Sequence, residues 1–323
     1  MAVRIVTASA VALLLQIAVG ILASAVCVPA SQAQESVPVA ITFDDLPAAG
    51  SAPADVSRLE VAEAAIAALQ RHRVSEVYGF VNGILAENMP ERQRILQTWT
   101  NAGFLVGNHT FAHSDLGKVT PEEFIRDLER NEPTLIDFAS SIAELKWFRY
   151  PFLHEGETLE KRYAIRSYLA RRGYRVAPVS IDFDDWAWGD AYMRCAARDA
   201  SHGGLRELED AFLRHAVARL HFSADLAKRI YGPDRRFKHV LLVHLSPFTV
   251  RMLDRLLAAY EKEGVAWITF RDAMTEPAYA EDTALATPVG KTFLLQGLES
   301  RKLSFPDLPQ PETPKEWMSS VCS

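Results

Sequence analysis

Residues 37–43 read Val-Pro-Val-Ala-Ile-Thr-Phe, and Asp44-Asp45 follow at once. The run is almost wholly apolar and largely β-branched, which is how a parallel strand covered on both faces reads. A second run of the same kind, Val-Leu-Leu-Val-His-Leu at 240–245, carries His244 near its end. Working outward from these two, strands are predicted at 77–81, 104–107, 147–150, 174–179 and 266–270. Helices are predicted at 56–72, 90–101, 159–172 and 250–262. One more helix opens at Thr120-Pro121-Glu122-Glu123, with Thr as the cap, Pro in the first position and Glu in the third. Seven strands mostly separated by helices predict an α/β fold, either a barrel or an open parallel sheet.

The stretch from Trp188 to Lys238 is too long for a simple connection. Its spacing of Leu205, Leu208, Phe212, His215/Ala216 and Leu220 predicts a helical insertion over about 189–238. Residues 276–323 carry several prolines and no strong periodicity, and are expected to form a tail laid over the domain at 37–275.

Hydrophobic residues make up 49% and charged residues 24% of the 323, which excludes a disordered, fibrous or multi-span membrane protein. The net charge is −6, with 35 Lys+Arg against 41 Asp+Glu and no basic run, so nucleic acid is not an expected partner. At the N-terminus, Arg4 precedes an apolar stretch over 5–26, and Ser31-Gln32-Ala33 forms a small-x-small site before Gln34. Residues 1–33 are therefore expected to be a secretory signal peptide, sending the protein to the periplasm or outside the cell. An uncleaved anchor is the alternative, and the only route to a membrane. A lipoprotein site at Cys27 is disfavoured by the branched Val26 before it. Cys195 and Cys322 remain, and an oxidising compartment lets them pair, two free thiols being the other reading. Nothing in the chain signals an oligomeric state.

In α/β barrels functional groups sit where strands end, and here the strand ends are unusual. They carry Thr42-Phe43-Asp44-Asp45, Asn108-His109-Thr110-Phe111-Ala112-His113, Phe148-Arg149-Tyr150-Pro151-Phe152, Asp182-Phe183-Asp184-Asp185-Trp186 and Leu242-Val243-His244. Each fragment alone is bland, for adjacent Asp residues usually make turns and a His pair at i,i+4 is usually a surface pair. Their recurrence after one predicted strand after another points to metal-assisted hydrolysis. His109 and His113 aim at one point if their segment makes a helical turn. With one carboxylate they make a three-ligand set that leaves a position open, the pattern of catalytic zinc. The other Asp is free to act as a base, provided that a turn at the strand end brings both acids to one cavity. Arg149 can keep a buried acid ionised.

The ordered set TFDD, HTFAH, RYPF, DFDDW and LVH resembles the NodB-homology polysaccharide deacetylases, carbohydrate esterase family 4, over residues 37–272. The resemblance implies a distorted (β/α)7 barrel and a hydrolase that removes acetyl groups from N-acetylated glycans, with O-acetylated ones as a variant. It implies Asp44 as general base, and Asp45, His109 and His113 as ligands of a divalent metal, usually Zn2+ in that family. Arg149 matches the arginine that orients the base, and Asp185 the acid that tunes the catalytic histidine. His244 looks like the general acid, Phe152 like the residue whose backbone N–H helps hold the oxyanion, Trp186 like a pocket wall, and Leu242 like the leucine packed against the acetyl methyl. Departures are Leu46 where the family commonly has Gly, Leu245-Ser246 after His244 where an Asp is common, and the long insertion, all of which bear on substrate more than chemistry. A small amide or imide substrate, or a carbohydrate-binding protein on a retired scaffold, are the competing functions. His154 is expected to have no role, and His202, His215, His221 and His239 are assigned none. Asp182 and Asp184 are expected to form turns, and Trp188 and Tyr192 either pack under the insertion or stack on sugars.

Overall fold

The structure, a computed structural model, describes residues 1–2, 36–87, 91–198 and 203–323. The expected signal segment beyond its first two residues, Cys27, Pro90 and His202 lie outside the described residues.

Among the described residues seven strands form one sheet: β1 Val37–Leu46, β2 Tyr78–Val81, β3 Leu105–Asn108, β4 Trp147–Phe148, β5 Arg175–Val176, β6 His239–His244 and β7 Val265–Trp267. The order is β5-β4-β3-β2-β1-β6, with β7 paired to the start of β1, and every pairing is parallel. Past β5 the chain reaches back to the other edge, where Ile181 bridges Leu241. There the N–H groups of Ser180 and Ile181 both donate to Val240 O at 3.0 Å. Residues 175–181 thus touch both outer strands and close a distorted α/β barrel. The strand expected over 174–179 is only two residues long because Pro178 offers no N–H to continue a ladder.

The period of two in β1 sorts its side chains. Val39, Ile41 and Phe43 enter the large core layer under the helices Arg58–Arg71, Arg92–Asn101 and Pro247–Lys262, and the Phe43 ring meets Trp99 edge-on at 5.3 Å. Ala40 points the other way, to Tyr78, Phe80, Trp147 and Val240 inside the curl. A strand buried on both faces in this way explains why its sequence is a continuous apolar run. The helices begin where their caps lie: Ser57 with Glu60 and Thr120 with Glu123 both form capping boxes.

The insertion is helical, as Gly189–Ala196 and the 28-residue Gly204–Tyr231. The C-terminal stretch differs from the plain tail expected. It contains the helices Phe293–Ser300 and Lys315–Ser320, and buries Phe293, Leu294, Met318 and Val321. Both helices are too short for a period to show against the prolines around them, and they owe their form to the surface they cover. A disulfide joins Cys195 to Cys322, 127 residues apart.

Candidate active site

The two acids at the end of β1 face one cavity because the strand breaks its own alternation there. Asp45 is left-handed (φ 59°), and the β1–β2 register shifts between Phe43 and Leu46. Asp tolerates this conformation better than most residues, and such positions concentrate at functional sites. Asp44 stays in register opposite His244 of β6.

His109 and His113 also converge, although by a different route from the expected helical turn. The segment after β3 is not helical; Thr110 (φ 61°) and His113 (φ 55°) are both left-handed. Side chains hold this turn in place. Asn108 Oδ1 accepts from Thr110 N at 2.9 Å, Asn82 Nδ2 donates to His109 O at 2.7 Å, and Asp127 Oδ1 accepts from Ala112 N at 2.9 Å. The rings of the two histidines lie 4.9 Å apart, centroid to centroid.

Asp45 Oδ1 sits 3.6 Å from His109 Nε2 and 3.5 Å from His113 Nε2. The three offer ligand atoms all within 4.8 Å of one another. His109 Nδ1 donates to the carbonyl of Arg149 at 2.8 Å, so its Nε2 lone pair is left for the cluster, the usual arrangement of a ligating histidine. Burial lowers His109 well below its ordinary value, with His113 adding to the effect, and burial lowers His113 as well. Both imidazoles are therefore neutral. Asp45 Oδ1 is buried without a hydrogen-bond partner among the described residues. A buried orphan carboxylate oxygen between two neutral imidazoles is a donor set that fits a divalent metal.

Asp44 lies beside this cluster, its Oδ2 3.7 Å from His109 Nε2. Arg149 Nη1 donates to Asp44 Oδ1 at 3.1 Å, and Arg149 is itself fixed by bonds to Ala177 O (2.7 Å) and Thr42 Oγ1 (3.2 Å). Burial pushes Asp44 up to about 6, and Arg149 and then His244 resist the rise. On β6, His244 Nδ1 donates to Asp185 Oδ1 at 2.8 Å, while Asp185 Oδ2 accepts from His244 N and Thr249 Oγ1. Burial disfavours charge on His244, but the Asp185 carboxylate outweighs it and pushes the imidazole up to about 10. Its Nε2 stands 4.0 Å from Asp45 Oδ2.

One cleft collects Asp44, His109, His113, Phe152, Trp186, Leu242 and His244. Arg149 and Asp185 are fully buried behind Asp44 and His244, and Asp45 is half-buried at its edge. Phe152 (φ 57°) and Leu153 (φ 53°) turn the chain after β4, and the exposed Phe152 ring lies 4.4 Å from that of His113. The structure thus brings together all ten residues singled out from sequence.

Sequence reasoning missed the far wall of the cleft, made by Arg219 of the insertion and by Gly290, Lys291, Thr292, Leu295 and Gln310. The C-terminal segment docks through its main chain: Lys291 N donates to Leu153 O and Phe293 N to Val179 O. Gly290 is required there, since a Cβ would lie 1.7 Å from Phe152 O. One signal was present, because Arg219 sits beside Leu220 on the apolar stripe of its helix, and such an arginine needs polar partners. It finds them in Asp182 O (2.7 Å) and Pro311 O (3.1 Å). His154 is not a bystander either. It is buried, with Nδ1 2.7 Å from Asp115 Oδ1 and Nε2 donating to Thr287 O at 2.8 Å, which ties the C-terminal segment to the histidine turn. Asp182 does form a turn, accepting from Asp184 N. Trp188 and Tyr192 pack, against Phe212 and Phe248, and stack on nothing in the cleft.

Residues 31–176 match the family model for polysaccharide deacetylase. The motifs at 182–186 and 242–244 lie beyond the matched residues. Among curated proteins, a peptidoglycan-N-acetylglucosamine deacetylase of Bacillus cereus is 29% identical over 148 residues. That alignment covers 46% of this chain and 46% of the relative, so the chain spans about half the length of the curated relative it matches. A solved peptidoglycan N-acetylglucosamine deacetylase, in complex with a substituted benzamide, is 21% identical, covering 74% of this chain and 88% of that one at a TM-score of 0.49. A family 4 carbohydrate esterase from Streptomyces lividans, in complex with acetate, is 20% identical, covering 73% and 95% at 0.46. A family 4 pseudoenzyme from Bacillus anthracis is 14% identical, covering 74% and 66% at 0.48. Over residues 31–176 the chain matches the model of the polysaccharide deacetylase family, the family that its sequence motifs resemble.

Proposed function

We propose that this protein is a metal-dependent hydrolase that removes acetyl groups from N-acetylated glycans, with peptidoglycan as the first substrate to try, given the curated relative's name. The observation that carries the proposal is the company the metal cluster keeps. A carboxylate raised to about 6 and an imidazole raised to about 10 both stand within 4 Å of the Asp45–His109–His113 set. One side chain there is poised to accept a proton and the other to give one.

Asp45, His109 and His113 would hold the metal, and the mixed nitrogen and carboxylate donors suit zinc. A divalent ion there supplies Lewis acidity, polarising the acetyl carbonyl and easing ionisation of water. The chain's own residues do the rest. Asp44 takes the proton of the attacking water on Oδ2, the oxygen facing His109, while Arg149 Nη1, which donates to Oδ1 at 3.1 Å and to Oδ2 at 3.3 Å, holds the carboxylate in place. As the new C–O bond forms, the carbonyl oxygen gathers charge beside the Phe152 turn. The C–N bond then breaks, and His244 Nε2 gives its proton to the departing nitrogen; Asp185 stabilises the imidazolium before transfer and fixes the ring. Leu242 offers an apolar contact for the methyl group, and Trp186 a face for the sugar. Acetate and a free amine leave. We also propose an exported protein, periplasmic or secreted, which the Cys195–Cys322 bond supports because disulfides persist in oxidising compartments.

The test is acetate release from peptidoglycan, chitin oligomers and acetylxylan, measured beside metal content. Acetate from an N-acetylated glycan, lost on chelation and restored by zinc, is expected. A protein that binds metal and glycan yet frees no acetate from any of them is a binding module and not a deacetylase.

A further inference from the structure

Trp186 lines two cavities. One is the cleft just described; the other is a groove between the helix Gly189–Ala196 and the C-terminal helix Lys315–Ser320. Its indole is 55% exposed, an uncommon state for the largest side chain. It follows Asp185 directly, which places its backbone beside the His244 partner. Lys315 Nζ stands 6.0 Å from the ring centroid and has no carboxylate partner among the described residues. Asp190, Arg194 and Ser319 supply the groove's remaining polar groups. Arg194 uses Nη2 on Met318 O, while its Nε is buried with no partner among the described residues. The two walls are joined covalently, because Cys195 lies on the first helix and Cys322 just beyond the second.

We propose that this groove is a glycan subsite. It takes the sugar unit next to the acetylated one, with the chain running from the cleft across Trp186. This rests on the deacetylase reading and extends it to a substrate of at least two units. A pyranose has a C–H face and a rim of hydroxyls. It is held by an aromatic surface together with a few fixed donors and acceptors. The groove has that composition: one exposed indole, the ammonium of Lys315 with three donors, the Arg194 guanidinium and the Asp190 carboxylate as acceptor. Of these groups the barrel supplies only the indole. Apart from Trp186 and Ala187 the groove is built from the insertion and the C-terminal segment, which lie beyond the family-matched residues.

The test uses the whole chain without added metal. Calorimetric titration with one, two and four linked N-acetylglucosamine units is run on the wild type, Lys315→Ala and Ser319→Trp, the last of which fills the groove from an exposed position. Affinity is expected to rise with length in the wild type, and both variants to lose about tenfold of that gain while binding the single sugar unchanged. Hydrolysis of a small aryl acetate by the zinc-loaded proteins, which needs only the metal end of the cleft, is expected to be equal in all three. Equal affinity at all lengths, or variants that bind the four-unit sugar as the wild type does, overturns the subsite. A wild type that binds longer chains through Lys315 but frees no acetate from either substrate overturns the deacetylase reading and leaves the groove standing as a sugar site.

Discussion

The cleft has two sides made in different ways. On one, Asp44, Asp45, His109, His113 and His244 project from strand ends, each aimed by a backbone kink or a buried partner. On the other, Gly290, Lys291, Thr292 and Gln310 belong to a segment with no sheet of its own, laid on the barrel by main-chain hydrogen bonds and one disulfide. Reactivity and selectivity therefore reside in different parts of the chain. Strand ends are over-determined by the core beneath them and hold atoms to the tolerance that proton transfer needs. A docked segment lies across the mouth of the cleft, so it is suited to shaping what enters.

Strand-end variants are expected to have the largest effects. His109→Ala should lose both bound metal and acetate release. Asp44→Asn should retain metal and lose about 10²–10⁴ in rate, the usual cost of a general base. Metal content by mass spectrometry beside acetate release reads both, and loss of metal in Asp44→Asn would reverse the roles within the Asp pair. Next comes the disulfide. Cys195→Ser with Cys322→Ser should lower unfolding stability by about 2–5 kcal/mol, seen in denaturant titrations, with metal content unchanged. If metal content fell in step, the two sides would be one unit. Smaller again, Gly290→Ala forces a methyl group against Phe152 O and should cost about 1–3 kcal/mol. It should also raise KM for glycans more than it lowers kcat, because the wall must back away from the Phe152 turn.

The effect with no consequence at neutral pH concerns the opposite end of the barrel. β6 begins with His239 and ends with His244, and burial pushes the first down to about 3, with Lys228 adding to the effect. An unfolded chain takes up that proton below about 6.5, whereas the folded one refuses it until about 3. Stability is therefore lost as pH falls through this window, by about 1.4 kcal/mol per unit from this one group. His239→Gln should flatten the acid limb of stability against pH by that slope. An unchanged limb would mean that the buried ring charges without unfolding the protein.

The strands were legible because parallel strands covered on both faces leave unbroken apolar runs, and the reactive side chains because acids and histidines directly after such runs are conspicuous. The geometry behind them was not. A helical turn is the expectation for His109 and His113, but two left-handed residues, Thr110 and His113, set them instead, and the branched Thr110 is not a type that announces that conformation. The closure of the barrel hinges on Pro178, which shortened a strand that apolar content alone extends. The far wall was hidden for a simpler reason: Lys291, Phe293 and Thr287 dock through N–H and C=O groups, which every residue has. Arg219 and Gly290 were the exceptions. A cation on an apolar stripe and a glycine where no turn follows are both traces of a backbone passing close by.

β1 is flanked by β2 on one side and β6 on the other, and the Thr42 hydroxyl donates to the carbonyl of Leu241, 199 residues further along. A polypeptide made from its N-terminus therefore completes its central strand early and leaves one edge of it bare until the sixth strand has been synthesised. During that interval an apolar, β-branched ribbon has open backbone donors and acceptors, the feature that invites pairing with other chains. Contacts so distant in sequence also form slowly. Asp45 and His244, at the ends of β1 and β6, meet only when that interval is over.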